Sequence, residues 1–514
     1  MKKIWFMILS VLSLVLYLNL GNVKAAFDRN IMNVKVLSIE EIESLCEGKE
    51  ETFLYPDITF SDAAIAYDME QNMLLLPQSL LEKDFQGRLK ASDGRLYFLW
   101  DEALEDKAEA MRQNKVFRLY WIREDQCWMY NVYFTGMPIL CLTELSQDGE
   151  ESSGRVWVYD QYRSTGSYGD LNCKWHVRGA STRDYAKSGY RLTLTDRKVS
   201  FLGMREDDDW ILNALYDDEG LIHNKLSYEV WQRIAGSNHV SGDEGISMEY
   251  VEMFMNDQYL GVYGLLERID KKELSLSSRD ILYKCNSDEE PGEDDFYSVL
   301  TDEMNPVFVM KYPSECLEEN WEPLRRWSSL FLTEEIVDYQ LGRDILNMEN
   351  AVDYNLFNLL ICGMDNTMKN VYFWADCEQD GSYQFIKIPW DLNMTWGNSW
   401  IDDPACKFNK YQEKNLERAA GWTPDIYLLY ECNPMETGYL LSSRWKELRE
   451  DIITKESLTD MVSMQYEYLY SSGAYQRNSL KWPSEGNNWS DEYIYEYIDK
   501  RIDFLDGYIG QMGQ

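Results

Sequence analysis

Histidine is nearly missing from this chain: His176, His223 and His239 are the only three in 514 residues, and they are widely separated. That scarcity argues against a zinc enzyme or a histidine-base hydrolase. The ten cysteines contain no Cys-x-x-Cys pair and no zinc-ligand spacing, which leaves room for one or two disulfides but not for a disulfide framework. Basic residues are also in deficit, 50 against 89 acidic ones, for a formal charge of -39. A nucleic-acid backbone would meet a repulsive field and release few counterions, so nucleic acid is not expected as a partner, whereas a basic polypeptide would be drawn in. Beyond the first twenty residues no run is long and apolar enough to cross a bilayer. Internal repeats are lacking as well.

What is present begins with Lys2 and Lys3, an apolar run from Ile4 to Leu20, and Val23-Lys24-Ala25. This is the order of a signal peptide over residues 1–25, and the shortness of the run favours cleavage near Ala25 or Ala26 over a retained anchor. The mature chain is then expected outside the membrane, secreted or held at a cell or spore surface. With 45% hydrophobic residues the remainder can build two or three packed domains. Alternating segments at 116–121 and 128–134 predict strands of a small β-rich domain over 27–150, and the polar stretch 146–154 reads as a linker. Residues 155–514 form the second unit. Short strands continue from Gly154 through Tyr263, after which helical periodicity takes over. Asn350 is expected to cap a helix whose Val352, Leu356, Leu359 and Leu360 share a face, with Asp353 completing the cap. The acidic stretch 287–295 reads as a solvated insertion, and the chain beyond Trp445 as amphipathic helix. The order predicts a two-lobed α+β fold, a β-rich lobe and then a helical lobe, with a cleft between them.

Chemistry concentrates between Met364 and Gly397. Asp365 and Asn370 stand five apart, directly after the amphipathic helix that ends near Cys362-Gly363. A strand at 371–374, a turn at Gln379-Asp380-Gly381 and a return strand at 383–388 form a hairpin, which carries Pro389-Trp390-Asp391-Leu392-Asn393 back beside them. Two acids and an amide converging at the ends of a hairpin is the grouping phosphoryl transfer uses: a carboxylate to take the hydroxyl proton, and an amide and a second carboxylate to hold magnesium. The same residues would serve equally as a helix cap, a turn and a hairpin closure.

Four ordered segments carry a resemblance. They are Arg178-Gly179-Ala180-Ser181-Thr182-Arg183 with Lys187 and Tyr190-Arg191-Leu192; Asp208-Asp209-Trp210-Ile211-Leu212 with Asn224-Lys225-Leu226-Ser227-Tyr228-Glu229; Gly261-Val262-Tyr263-Gly264-Leu265-Leu266-Glu267-Arg268-Ile269-Asp270; and the stretch from Asp365 to Gly397. Together they resemble the spore-coat protein H (CotH) kinase family. The resemblance implies an atypical protein-kinase-like fold that uses ATP and Mg2+ or Mn2+ to phosphorylate Ser/Thr of secreted, spore-coat or surface proteins. It implies Asp365 as catalytic base, and Asn370, Asp391 and Asn393 at the metal. Nucleotide contacts would come from Arg178, Gly179 and Arg183 over the phosphates and from Lys187 with Glu229 as its ion-pair partner. Glu267 would lie near the adenine. The family often has Asp-x-Asp after the Trp, whereas this chain has Asn393, so a non-catalytic pseudokinase serving in a coat or in adhesion is the alternative. A glycosidase would need two carboxylates at a separation that spacing alone cannot establish.

Overall fold

The computed structural model describes residues 30–61, 63–77, 87–160, 168–179, 183, 185–287, 307–315, 317–332, 339–363, 365–398, 428–483 and 491–512. The signal-peptide segment and most of the acidic 287–295 stretch therefore lie outside the described residues. The chain is mixed α/β.

The first sheet contains β1 (Asn30–Ile31), β2 (Val34–Leu37), β3 (Glu50–Glu51), β6 (Ala66–Asp68), β7 (Met73–Pro77), β9 (Arg95–Leu99), β10 (Phe117–Ile122) and β11 (Gln126–Thr135). A small companion sheet holds β4 (Ile58–Phe60), β5 (Ala63–Ala64) and β8 (Leu89–Ala91). Helices α1 (Ile39–Cys46) and α2 (Lys107–Arg112) belong to the same part of the chain. Here the expectation of a β-rich N-terminal region holds, with β10 and β11 where alternation placed them.

The 146–154 stretch is not a linker. It is the tip of a hairpin in which β12 (Ile139–Asp148) pairs with β13 (Glu151–Tyr159), Asp148 facing Glu151 across Gly149. Turn-forming polar residues suit a hairpin as well as a linker, and the alternating residues on either side settle which one forms. The chain leaves the first sheet instead at Gly136-Met137-Pro138.

These two strands begin a closed barrel with β14 (Tyr168–Arg178), β15 (Gly189–Leu194), β16 (Asp209–Asn213), β18 (Gln258–Leu266) and β17 (Met248–Met255). The parallel pairing of β17 with β12 closes it. Period-two alternation fills the interior: Val156 and Val158, then Leu171, Cys173 and Trp175, then Trp210 and Leu212. Outward residues of β16, β17 and β18, among them Ile211, Tyr250 and Val262, are buried too, because α3 (His223–Ala235) packs outside the barrel in a second core.

Beyond residues 267–280 the chain enters a four-stranded sheet ordered β20 (Phe308–Tyr312), β19 (Ile281–Cys285), β21 (Val371–Cys377), β22 (Tyr383–Pro389). The helices from here on are α4 (Glu322–Leu332), α5 (Tyr339–Ile345), α6 (Met348–Ile361), α7 (Pro434–Leu448), α8 (Lys455–Ser471), α9 (Ala474–Lys481) and α10 (Glu492–Met512); α5 and α6 pack on β22, α7 and α10 on α6, α8 on α10, and α9 on β18 of the barrel. The cap of α6 is Asn347, whose side chain accepts the Asn350 N–H; Asn350 lies buried inside the helix, so its expected capping role is corrected. No helix among the described residues is long and apolar enough to cross a membrane.

Candidate functional site

The β21–β22 hairpin forms as its sequence predicts, with Val371 opposite Pro389 and Cys377 opposite Tyr383. It brings its two ends together: the Trp390 N–H donates to the Asn370 carbonyl at 3.0 Å, and the Asn370 N–H donates to Cys285 of β19 at 3.2 Å. Both Asn370 and Asp391 have left-handed backbone, with φ of 59° and 60°. Such conformations cost free energy for non-glycine residues and mark positions that the surrounding packing dictates. Asn370 Nδ2 donates to Asp365 Oδ2 at 2.9 Å, and Lys369 Nζ stands 3.4 Å from Asp365 Oδ1. The carboxylate after the helix and the amide five residues later are thus one unit.

Helix α3 anchors the other side. The Asp391 N–H donates to the Tyr228 hydroxyl at 3.1 Å and the Leu392 N–H to Asn224 Oδ1 at 2.9 Å. Asn366 Nδ2 donates to the Trp390 carbonyl at 2.8 Å. The helix itself begins on Asp218, which accepts the His223 N–H at 2.8 Å and receives His223 Nδ1 at 2.6 Å. That carboxylate occupies the orphan donors and the positive pole of the helix start.

Asn393 points its amide at Asp217, Nδ2 to Oδ2 at 2.7 Å. Burial lifts the Asp217 carboxyl to about 6, and the nearby Asp391 charge adds to the shift. Facing these acids is a concentration of positive charge that is unexpected in a chain with a formal charge of -39. The Arg178 guanidinium lies over the Trp390 ring, 5.5 Å from its centre. Lys284 on β19 is lowered to about 8 by burial, with the charges of Arg178 and Lys311 acting the same way and that of Asp391 opposing them. Lys311 is lowered by burial and by Arg268 and Arg191, although its side chain reaches solvent. Arg191 and Arg268 share the carboxylate of Asp209, at 2.6 and 2.5 Å, and the Asp270 charge also acts on Arg191. Cations set beside carboxylates and walled by Tyr372 and Trp390 can receive a polyanion while leaving an oxygen ligand set for its counter-cation.

The other residues expected at a nucleotide fare differently. Gly179 has φ +125°, a conformation that glycine alone adopts readily, and its carbonyl accepts Arg183 Nε at 3.0 Å, while 180–182 lie outside the described residues. Lys187 and Glu229 do not meet. Lys187 is buried, bonded to the Val262 carbonyl and to Asn478 Oδ1 at 3.1 Å, and lies 4.6 Å from the Tyr263 ring centre. Glu229 pairs with Lys225 at 3.0 Å and accepts from Gln465 at 2.9 Å, one turn of helix being a nearer source of charge than a strand on the barrel. Glu267 stands at the crossing from barrel to second sheet, but its two oxygens accept the backbone N–H groups of Arg205 and Ser247 at 2.7 and 2.8 Å. Its role there is to hold the crossing. The barrel thus offers Arg178 and Arg191, and the lysine facing Asp391 is Lys284, with Lys311 beside it.

Sequence reasoning missed Lys284 and Asp217. A lone lysine inside Ile281-Leu282-Tyr283-Lys284-Cys285 was a readable signal, since a charge in a buried strand needs a reason. Asp217 sits in Asp217-Asp218-Glu219, which looks like any solvated acidic turn.

Among the described residues no group of three or more His, Cys, Asp and Glu is arranged to hold a metal. The side chains that the hairpin ends carry here, Asp391, Asn370 and Asn393, have hard oxygen donors. That set fits a magnesium-type cation, which takes one or two carboxylates and completes its shell with phosphate and water. Residues 175–505 match a family model described as CotH kinase protein. No curated protein matches the chain.

Proposed function

Because the chain belongs to the CotH kinase family, we propose that it is an exported protein kinase that transfers the γ-phosphoryl group of ATP to Ser or Thr of secreted, spore-coat or cell-surface proteins. The observation that carries this reading is the Asp365–Asn370 pair, hydrogen-bonded at 2.9 Å, joined through the Trp390–Asn370 backbone bond to Asp391 and faced by Arg178 and Lys284. In this reading the barrel is the upper lobe and the four-stranded sheet with its helices the lower, in the manner of an atypical two-lobed kinase.

Arg178, Lys284 and Lys311 would bind and orient the phosphates, and the Trp390 ring would keep the Arg178 fork in plane. Asp365, held by Asn370 and Lys369, would accept the proton of the acceptor hydroxyl at a carboxylate oxygen. Asn370, Asp391 and Asn393 would hold Mg2+ or Mn2+, which when bound neutralises charge building on the phosphoryl oxygens. The acidic surface suits a basic, Ser-rich acceptor, drawn by the long-range field.

The test is transfer of label from γ-labelled ATP, with magnesium or manganese, to a basic Ser-rich peptide. Wild-type protein should label the peptide, and Asp365→Ala should lose at least about a hundredfold of that rate, the lower end for a lost general base. Equal transfer by the two proteins would overturn the assignment of Asp365.

A further inference from the structure

An amide at position 393 offers a cation one neutral oxygen, and a carboxylate stands directly behind it. Asn393 Nδ2 donates to Asp217 Oδ2 at 2.7 Å, which orients the amide and turns its oxygen to the opposite side. Asn398 clips the two together, its Nδ2 donating to the Asp217 carbonyl at 3.2 Å and to the Asn393 carbonyl at 2.9 Å. The frame behind Asp217 is fixed, since Asp218 is buried and bonded to the His223 backbone and ring. The same helix start holds Asp391 and Leu392 through Tyr228 and Asn224. Asp217, Asp391 and Asn393 therefore ride on one support, and among the described residues no lysine or arginine pairs with Asp217. A ligand's hydrogen-bonded outer partner sets both its orientation and its donor strength.

We propose that Asp217 is a positioning residue of the cation site: it holds the Asn393 amide with its oxygen toward the metal and supplies from behind the negative charge that an amide lacks. The proposal rests on the kinase reading above and assigns this chain a two-residue unit, Asp217–Asn393, in the place of a single carboxylate ligand.

The unit can be tested by exchanging its members. Mn2+ binding is measured by electron paramagnetic resonance, with and without ATP, for wild type, Asp217→Asn, Asn393→Asp, the double exchange Asp217→Asn/Asn393→Asp, and Asp391→Ala, with thermal unfolding followed in parallel. Asp217→Asn should weaken Mn2+ binding about tenfold or more. Asn393→Asp should also weaken it, because two carboxylates would then face each other without the amide proton. The double exchange should restore binding to within a few-fold of wild type, since an amide at 217 can donate to a carboxylate at 393. Tighter binding by Asn393→Asp alone, or a double exchange no better than Asp217→Asn, would overturn the proposal even if Asp391→Ala abolishes binding. Unchanged binding in Asp391→Ala would instead remove the metal assignment of the kinase reading.

Discussion

Lys284 shows what a single side chain contributes to this site. Its ammonium is held down to about 8 chiefly by burial, so it is charged below that pH and neutral above it. The groups facing it include Asp391, Arg178 and Lys311. If it binds phosphate, affinity for an ATP analogue should fall as pH rises through about 8, and titration calorimetry would read this directly. Lys284→Met should bind more weakly at pH 7 and show no loss through that window. At this scale the sequence was only half legible. Asp365, Asn370 and Asp391 are marked by their spacing around a hairpin, and a hairpin is local. Lys187 was misread because a lysine after a glycine turn looks catalytic until Asn478, 291 residues later, is seen to hold it.

The elements explain why the hairpin between Asn370 and Asp391 keeps its shape. Asn350 on α6 accepts the Lys387 N–H at 2.7 Å and donates to the Lys387 carbonyl at 3.1 Å and to Asp243 Oδ2 at 2.9 Å. It thereby clamps β22, the strand that delivers Asp391, while Asn347 performs the ordinary capping. Asn347→Ala should cost about 1 kcal/mol of stability, the usual loss for a cap. Asn350→Ala should cost more, about 2–4 kcal/mol, because it leaves the buried Asp243 carboxylate to Asn238 and removes the side-chain partner of two buried backbone groups. Urea unfolding of the two variants checks the order, and equal losses would refute the clamp. The helix itself was legible from its apolar period. Its start was not, because two asparagines three residues apart both fit a cap and only the partner strand distinguishes them.

For the molecule as a whole, Arg477 on α9 is the central tie. It forms a bidentate pair with Glu252 of β17 at 2.8 and 2.7 Å, and it also reaches Asn114 at 2.8 Å and the Phe134 carbonyl at 3.3 Å. The N-terminal sheet, the barrel and the C-terminal helices thus share one buried ion pair. Arg477→Met should lower stability by about 3–5 kcal/mol by leaving the buried Glu252 charge without its cation, held by the Tyr259 hydroxyl. Calorimetry should show one depressed transition, and a melt in which only α9 loosens would contradict the shared role. None of this could be read from the sequence. A barrel closed by a parallel strand, and an arginine whose carboxylate lies 225 residues earlier, depend on contacts that no local pattern encodes.

The same tie has a temporal side. A ribosome issues β17 and β18 more than two hundred residues before the helix that satisfies them: Glu252 waits for Arg477, and the Val262 N–H and Lys187 wait for Asn478. Until then Glu252 has the Tyr259 hydroxyl but no cation, Lys187 has only the Val262 carbonyl of these two partners, and loop closure across that span gives nothing back early. The order of synthesis therefore holds back the last polar partners of the barrel wall until α9 has been made.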